Sequence, residues 1–286
     1  MKKFLWPLVC SMIVFSCKKI DIPLPKKLCQ VKSITRVGGP TTSGTFDYTY
    51  DAERKLTQLK TTIGLGFTFN FTYDNKDQLT AVNWVGIADY KLYYTHGLVT
   101  KVEEYGPDGA LRHSTNFKYD NKKRLIEKDG LLSNFMLAKY EYEGNSRNPK
   151  KKLLYYGSTT SANKDAGGIG QSGIDALELQ TYYEYDYDNE INPLATLTSL
   201  PLSVFYFGEE FGGDMFEPVA DNNIVHQKFN GITTGGFFNY KDYYKTYEYK
   251  NRYPIKEAHK TVSHGRDGNP DQEFFASASY SYDCKN

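Results

Sequence analysis

The sequence predicts an all-β chain: a long antiparallel meander of hairpins, curled or rolled so that its aromatic face closes on itself, with a loop-rich insertion. Three observations predict it. Tyrosine (25) and phenylalanine (17) are abundant in the 286 residues, and no long stretch sustains a helical period. Aromatic and polar residues alternate: Phe117 and Tyr119 stand between Asn116, Lys118 and Asp120, the period-two mark of a half-buried strand. The pattern also recurs. The second aromatic of each unit falls at Tyr50, Tyr73, Tyr94, Tyr119 and Tyr142, at spacings of 23, 21, 25 and 23 residues, room for one hairpin each. One polar face per strand demands the curl or a second layer, because a flat sheet would leave the rings in water.

The N-terminus reads as a targeting segment. Lys2 and Lys3 precede an apolar run from Phe4 to Ser16, the length of a signal h-region and too short to span a bilayer. Val14-Phe15-Ser16-Cys17 resembles a lipobox, the recognition site of bacterial prolipoproteins, with Phe15 bulkier than the usual residue. Residues 1–16 are therefore expected to be a lipoprotein signal peptide, Cys17 the acylated residue, and 17–27 a lipid-anchored tether. Pro23, Pro25 and four lysines against Asp21 keep that tether solvated. Residues 28–286 form one β-hairpin-repeat domain. The expected location is the cell envelope, lipid-anchored to the outer membrane, its periplasmic or surface side left open. Cys10 leaves with the leader, so Cys29 and Cys284 remain; an oxidising compartment favours a disulfide between them over two buried thiols.

Along the folded part, the units Tyr48-Thr49-Tyr50-Asp51 with Leu56, Phe71-Thr72-Tyr73-Asp74 with Leu79, and Phe117-Lys118-Tyr119-Asp120 with Leu125 each read as strand, polar turn, strand. Asp and Asn bend the chain there because their short side chains bond local backbone and tolerate left-handed dihedrals. His96-Gly97, Gly106-Pro107-Asp108-Gly109 and Asp129-Gly130 mark further turns. Beyond Tyr142 the register loosens. Asn148-Pro149 and Asn192-Pro193 should turn the chain sharply, and Gly157 to Gly173 reads as a mobile loop. Ile191 to Leu202 could hold a short helix with Pro193 in its first turn, and Glu209 to Asn223 is a second irregular insertion. The pattern returns at Tyr247-Glu248-Tyr249-Lys250 and closes at Tyr280-Ser281-Tyr282-Asp283. The repeat tyrosines Tyr50, Tyr73, Tyr119 and Tyr142 are expected in the core.

Tyr-x-Tyr-Asp followed by a polar turn and Leu resembles the YD repeat of Rhs-type proteins, whose hairpins build a curving antiparallel sheet. The YD repeat carries Gly three residues after the Asp, where this chain has Arg54, Asp77 and Lys123. A left-handed non-Gly residue costs roughly 1 kcal/mol, so a different turn type is open at these places. The lipobox, the Asn-Pro pairs, Asn222-Asn223 and Tyr253-Pro254-Ile255 are together similar to a family of uncharacterised Bacteroidota lipoproteins. That resemblance implies location and fold, and no activity.

The formal charge is +1, or −1 once Lys2 and Lys3 leave with the leader, which lacks the footprint of a nucleic-acid binder. Gly168-Ile169-Gly170-Gln171-Ser172-Gly173 matches G-x-G-x-x-G without the preceding strand that the dinucleotide mechanism needs. Glu184, Asp186 and Asp188 alternate with tyrosines, placing three carboxylates on one strand face about 7 Å apart, inside the span of an inverting glycosidase pair. Acid catalysis there would need a carboxyl with a raised pKa; otherwise the face is solvated and balanced by lysines. Asp267 to Glu273 spaces oxygens as calcium loops do, but lacks the glycine at the sixth place and the closing glutamate, leaving an Asp-Gly hairpin turn. His259 and His264, five apart, fall on opposite faces. No cofactor or metal is expected.

The sequence thus points to a non-enzymatic envelope lipoprotein whose loops bind a glycan or a protein. The alternatives are a glycan hydrolase using Glu184, Asp186 and Asp188, or a purely structural envelope component. A pocket around Asp186 would favour the hydrolase, an exposed aromatic shelf near Phe205–Phe216 the glycan binder.

Overall fold

The computed structural model describes residues 29–38, 43–129, 137–157, 177–196, 220–233, 236–265 and 269–284. The first strand is β1 (Cys29–Gly38), followed by β2 (Gly44–Tyr50), β3 (Leu56–Thr61), β4 (Phe67–Tyr73) and β5 (Leu79–Trp84). Next come β6 (Ala88–Thr95), β7 (Leu98–Tyr105), β8 (Leu111–Tyr119), β9 (Leu125–Asp129) and β10 (Leu137–Tyr142). The longer strands are β11 (Pro149–Gly157), β12 (Leu177–Ile191), β13 (Asn222–Thr233), β14 (Gly236–Lys250), β15 (Tyr253–Ser263) and β16 (Gln272–Cys284). Each pairs antiparallel with the next, and β16 pairs with β1, so the meander is a closed barrel rather than a rolled sheet. Of the short helix expected over Ile191–Leu202, a 3-10 turn at Pro193–Thr196 is present, while Ile191 instead ends β12; residues 197–202 lie outside the described residues.

Because every neighbour is antiparallel, connections alternate between two ends of the barrel. The start of β1 and the finish of β16 share one end, called here the seam end, with the turns that follow Tyr50, Tyr73, Thr95, Tyr119 and Tyr142. The 192–221 connection and the Asn251-Arg252 turn also lie at the seam end, and the far end carries the connections that follow the odd-numbered strands.

Alternation along each strand sorts side chains between the inner and outer faces. Buried Phe46, Tyr48, Phe69, Phe71, Val82, Tyr90 and Leu92 belong to one contiguous apolar cluster. Exposed Asp47, Lys60, Thr72, Asp89 and Lys91 alternate with them. A barrel that crosses lipid has the opposite sense, an outward apolar band about 25 Å tall. The described outer wall here carries polar and charged side chains between the buried ones. Along β13–β15 the inner face turns polar, with Gln227, Lys245, Glu257 and Thr261 all buried.

The repeat has a two-part physical basis. In the first part, the aspartate builds the turn. Asp51 Oδ1 accepts from the backbone N–H of Glu53 (2.9 Å) and Lys55 (2.8 Å). Asp74 does the same for Lys76 and Gln78, and Asp120 for Lys122 and Arg124. In each turn the residue three after the Asp is left-handed: Arg54 at φ 68°, Asp77 at 62° and Lys123 at 62°. The missing glycines therefore did not change that backbone conformation; side chains occupy it.

In the second part, the tyrosine closes the gap between hairpins. At the seam end β3 and β4 share no turn, and their ladder stops at Gln58–Asn70. Tyr73 donates its hydroxyl to the Leu56 carbonyl beyond that point (2.9 Å). Tyr50 serves Val31, Tyr94 serves Leu79 and Tyr142 serves Leu125, each at 2.8 Å. Tyr187, Tyr247 and Tyr282 repeat the contact to Pro149, Ile224 and Pro254. The second aromatic is thus a half-buried latch packed against the core, not the core residue the alternation suggested. The first aromatic is the buried one: Tyr48, Phe71, Phe117 and Tyr140 are at most 7% exposed. Tyr119 departs from the pattern, its buried hydroxyl having no hydrogen-bond partner.

Candidate functional site

At the seam end Cys29 pairs with Cys284 in the β1–β16 ladder, and a disulfide joins them. The Cys29 N–H donates to the Tyr253 hydroxyl. Beside them opens a cleft of about 560 Å³ lined by Gln30, Lys32, Tyr50, Asp51, Arg54 and Asp283. Much of its polar chemistry is spent within the barrel: Gln30 donates to the Arg54 carbonyl (2.6 Å) and Arg54 to the Asp283 carbonyl (3.3 Å). Cys17, the expected lipidation site, lies outside the described residues.

The asparagines of the family-like motifs gather at the same end and fix the strands flanking the 192–221 connection. Asn148 accepts from the N–H of Asp221 (2.8 Å) and donates to Asn222 (2.8 Å). Asn192 donates to the Ala220 carbonyl (3.0 Å) and accepts from the Leu194 N–H.

The acidic strand splits up. Glu184 and Asp186 face outward, Glu184 toward Lys151 (3.6 Å) and Asp186 against Lys150 (2.8 Å). Asp188 leaves that face, because the β12–β13 register shifts after Asp186. It accepts instead from the Asn223 N–H (3.1 Å), the Asn223 amide and the Tyr249 hydroxyl. The Lys150 bond, against a smaller effect of burial and helped by His226, holds the Asp186 carboxyl below the usual carboxylate range. That is the wrong direction for a general acid.

Asp186 instead begins an array no sequence motif announced. Its Oδ2 meets His226 Nδ1 (3.2 Å), and His226 Nε2 meets Asp242 Oδ1 (2.9 Å). Asp242 Oδ2 meets His264 Nε2 (2.8 Å), and His264 Nδ1 meets Asp271 Oδ2 (2.9 Å). Asn239 donates to Asp242 (2.9 Å) and the Gly265 N–H to Asp271 (2.9 Å). The His226 ring stacks on Tyr244, centroids 4.6 Å apart. His259 stands within β15, touching Thr261 and Tyr243, while His264 follows the last residue of that strand. Among the described residues no cluster of His, Cys, Asp and Glu could hold a metal ion. The G-x-G-x-x-G segment, Asp267 and Phe205–Phe216 lie outside the described residues, while Glu273 pairs with Lys260 (2.6 Å).

The far end has a different character. Eight of the eleven exposed large hydrophobic side chains among the described residues lie nearer to its turns than to those of the seam end. Val37, Leu65, Val85, Ile87 and Leu111 come from successive connections, and Ile232, Phe274 and Phe275 continue the rim. Leu65 is fully exposed and Phe275 is 64% exposed. The turns at the seam end carry Asp, Lys, Asn and Gly in their place.

No protein-family model matches the chain, and no curated protein does. Among solved structures, it is similar to a porin-like protein from Bacteroides uniformis at 13% identity and a TM-score of 0.53, over 88% of this chain and 96% of that one. A porin-like protein from Bacteroides vulgatus matches at 12% identity and a TM-score of 0.49, over 89% and 99%. The first of these likenesses shows a shared fold.

Proposed function

We propose that this chain is a non-enzymatic envelope lipoprotein, anchored through Cys17 by the tether 17–27, whose barrel stands in water and docks a protein partner on its far rim. One observation carries the proposal: the exposed apolar side chains gather at the end opposite the one where the chain enters the barrel. Contiguous exposed apolar surface marks contact sites, whereas scattered single residues do not. The rim side chains are mostly aliphatic, giving a sugar little to stack on, so a protein suits them better than a glycan. A transmembrane channel, as the name porin-like would suggest for the neighbours, needs an apolar outer wall, and the described residues of this wall alternate buried apolar with exposed polar side chains.

Site-directed photocrosslinking in intact cells tests this. A crosslinker at Leu65 or Ile87 should capture a protein that one at Lys76, in a seam-end turn, does not. Equal capture from both ends, or retention of glycans and no protein by the rim, would overturn the proposal. Acylation is checked separately, by mass spectrometry of the mature N-terminus; an unmodified N-terminus elsewhere would remove the anchor.

A further inference from the structure

We infer that Asp186, His226, Asp242, His264 and Asp271 form a proton-controlled fastener across the outer wall, holding β12, β13, β14 and the β15–β16 corner together when the imidazoles are protonated. It does not depend on the docking proposal.

The geometry makes the case. Each imidazole has a carboxylate oxygen on both ring nitrogens, at 2.8 to 3.2 Å. A neutral imidazole donates from one nitrogen only, so the other nitrogen presents its lone pair to an anion. Protonation turns all four contacts into donated, charge-assisted bonds. Charge runs the same way. Three carboxylates, two imidazoliums and the Lys150 ammonium sum to zero; with neutral rings the same groups carry −2. The His226 ring is held in place by its stack on Tyr244.

Other charges facing the array are mostly matched elsewhere. On β11 and β12, Lys151 faces Glu184, and on β15 and β16, Lys260 pairs with Glu273. Lys228 of β13 stands opposite both Asp242 and Glu184 in register and is exposed. Lys241 is in register with Ser263, on the other parity from Asp242.

For His264, burial pushes the ring pKa down, but the bonds to Asp242 and Asp271 outweigh it and raise the ring above its ordinary 6.5. A raised imidazole stabilises fully below 6.5 and loses that contribution as pH climbs through the folded value. Asp271 is lowered by the Gly265 N–H and by His264; Asp242 is lowered because its histidine and Asn239 bonds outweigh burial. Lowered carboxylates stabilise above 3.8 and lose that contribution as pH falls through their folded values. The His264 contacts of the fastener are therefore complete between the ordinary carboxylate and imidazole values and weaken on the alkaline side.

Two measurements on the full-length protein test it. Thermal midpoints from pH 5 to 8.5 should fall in the parent and fall clearly less in the H226Q/H264Q double variant. The His264 ring, followed by NMR in the unsubstituted protein, should titrate above 6.5 and move back toward it in D271N. Equal pH slopes in parent and double variant, or a His264 ring titrating at or below 6.5, would overturn the inference. The NMR arm decides alone if the double variant does not fold.

Discussion

Cys29 faces Cys284 across the seam of the barrel, their α-carbons 4.2 Å apart in the register that joins the first strand to the last. A bond there closes one ring between residues 255 positions apart in sequence. In the chain-entropy model a loop of that length contributes roughly 5 kcal/mol, less where the reduced chain keeps structure. Thiol titration of denatured, unreduced protein from the envelope should therefore find neither cysteine free. Replacing both with serine should lower stability toward that amount while leaving the barrel closed, since the β1–β16 ladder continues through eight further residue pairs from Gln30 to Gly38. Two free thiols in oxidatively secreted protein would exclude the bond.

The latch tyrosines should behave differently from the buried ring two residues earlier. Phe71→Ala removes a core side chain and should cost roughly 3–5 kcal/mol. Tyr73→Phe keeps the ring and strands the Leu56 carbonyl, which should cost about 1–3 kcal/mol. Tyr119→Phe, where the hydroxyl has no partner, should cost nothing or stabilise slightly. Chemical denaturation of the three variants reads the order directly, and equal losses for Tyr73→Phe and Tyr119→Phe would show that the hydroxyl contact carries no weight.

These latches show how far the sequence could be read. Strands and turns were legible because alternation and the Asp turn are local, each set within a handful of residues. Full closure was not, since it depends on strand number and stagger around the whole barrel. The roles of the paired aromatics were interchanged for a related reason: Tyr48 and Tyr50 share parity, and only the ladder's end decides which is buried. On the acidic strand, alternation placed Glu184 and Asp186 together correctly, but one register shift took Asp188 away. The histidine–aspartate array was out of reach altogether. His226, Asp242 and His264 meet through the register of three strands, and a one-residue slip would point each to the opposite face.

Inside the barrel Lys245 and Glu257 form an ion pair at 3.4 Å, with side chains only 2% and 3% exposed. Tyr280 donates its hydroxyl to the second Glu257 oxygen. Removing one partner leaves the other charge buried, so Lys245→Met or Glu257→Leu alone should cost about 3–5 kcal/mol. The double substitution should recover most of that loss. A double variant no more stable than the worse single one would mean the pair is held by other polar neighbours.

Burial also sets an alkaline limit. Desolvation is the largest cause raising the phenols of Tyr50, Tyr94 and Tyr282, and it takes Tyr119 to about 12. Unfolded tyrosines ionise near 10, so their folded-state neutrality stabilises the barrel below that pH. The contribution is lost as pH rises from 10 through the folded values. Ultraviolet titration should show a late-ionising class of tyrosines whose ionisation coincides with unfolding, whereas full ionisation near 10 with circular dichroism unchanged would place the phenols in water.

The last prediction concerns the left-handed turn residue. Lys123 sits at φ 62°, where a side chain is strained by roughly 1 kcal/mol relative to glycine. Arg54 and Asp77 share the conformation, but Arg54 reaches the Asp283 carbonyl and Asp77 accepts from Lys55. Lys123 is exposed and carries the strain with the fewest competing contacts. Lys123→Gly should therefore stabilise the protein, by less than ~1 kcal/mol because glycine also gains freedom in the unfolded chain. Asp120→Ala in the same turn should act oppositely, losing the acceptor of the Lys122 and Arg124 N–H groups and the Arg124 guanidinium contact at 2.7 Å. A thermal midpoint that falls for Lys123→Gly would show that the side chain, and not the aspartate and the backbone, holds this turn.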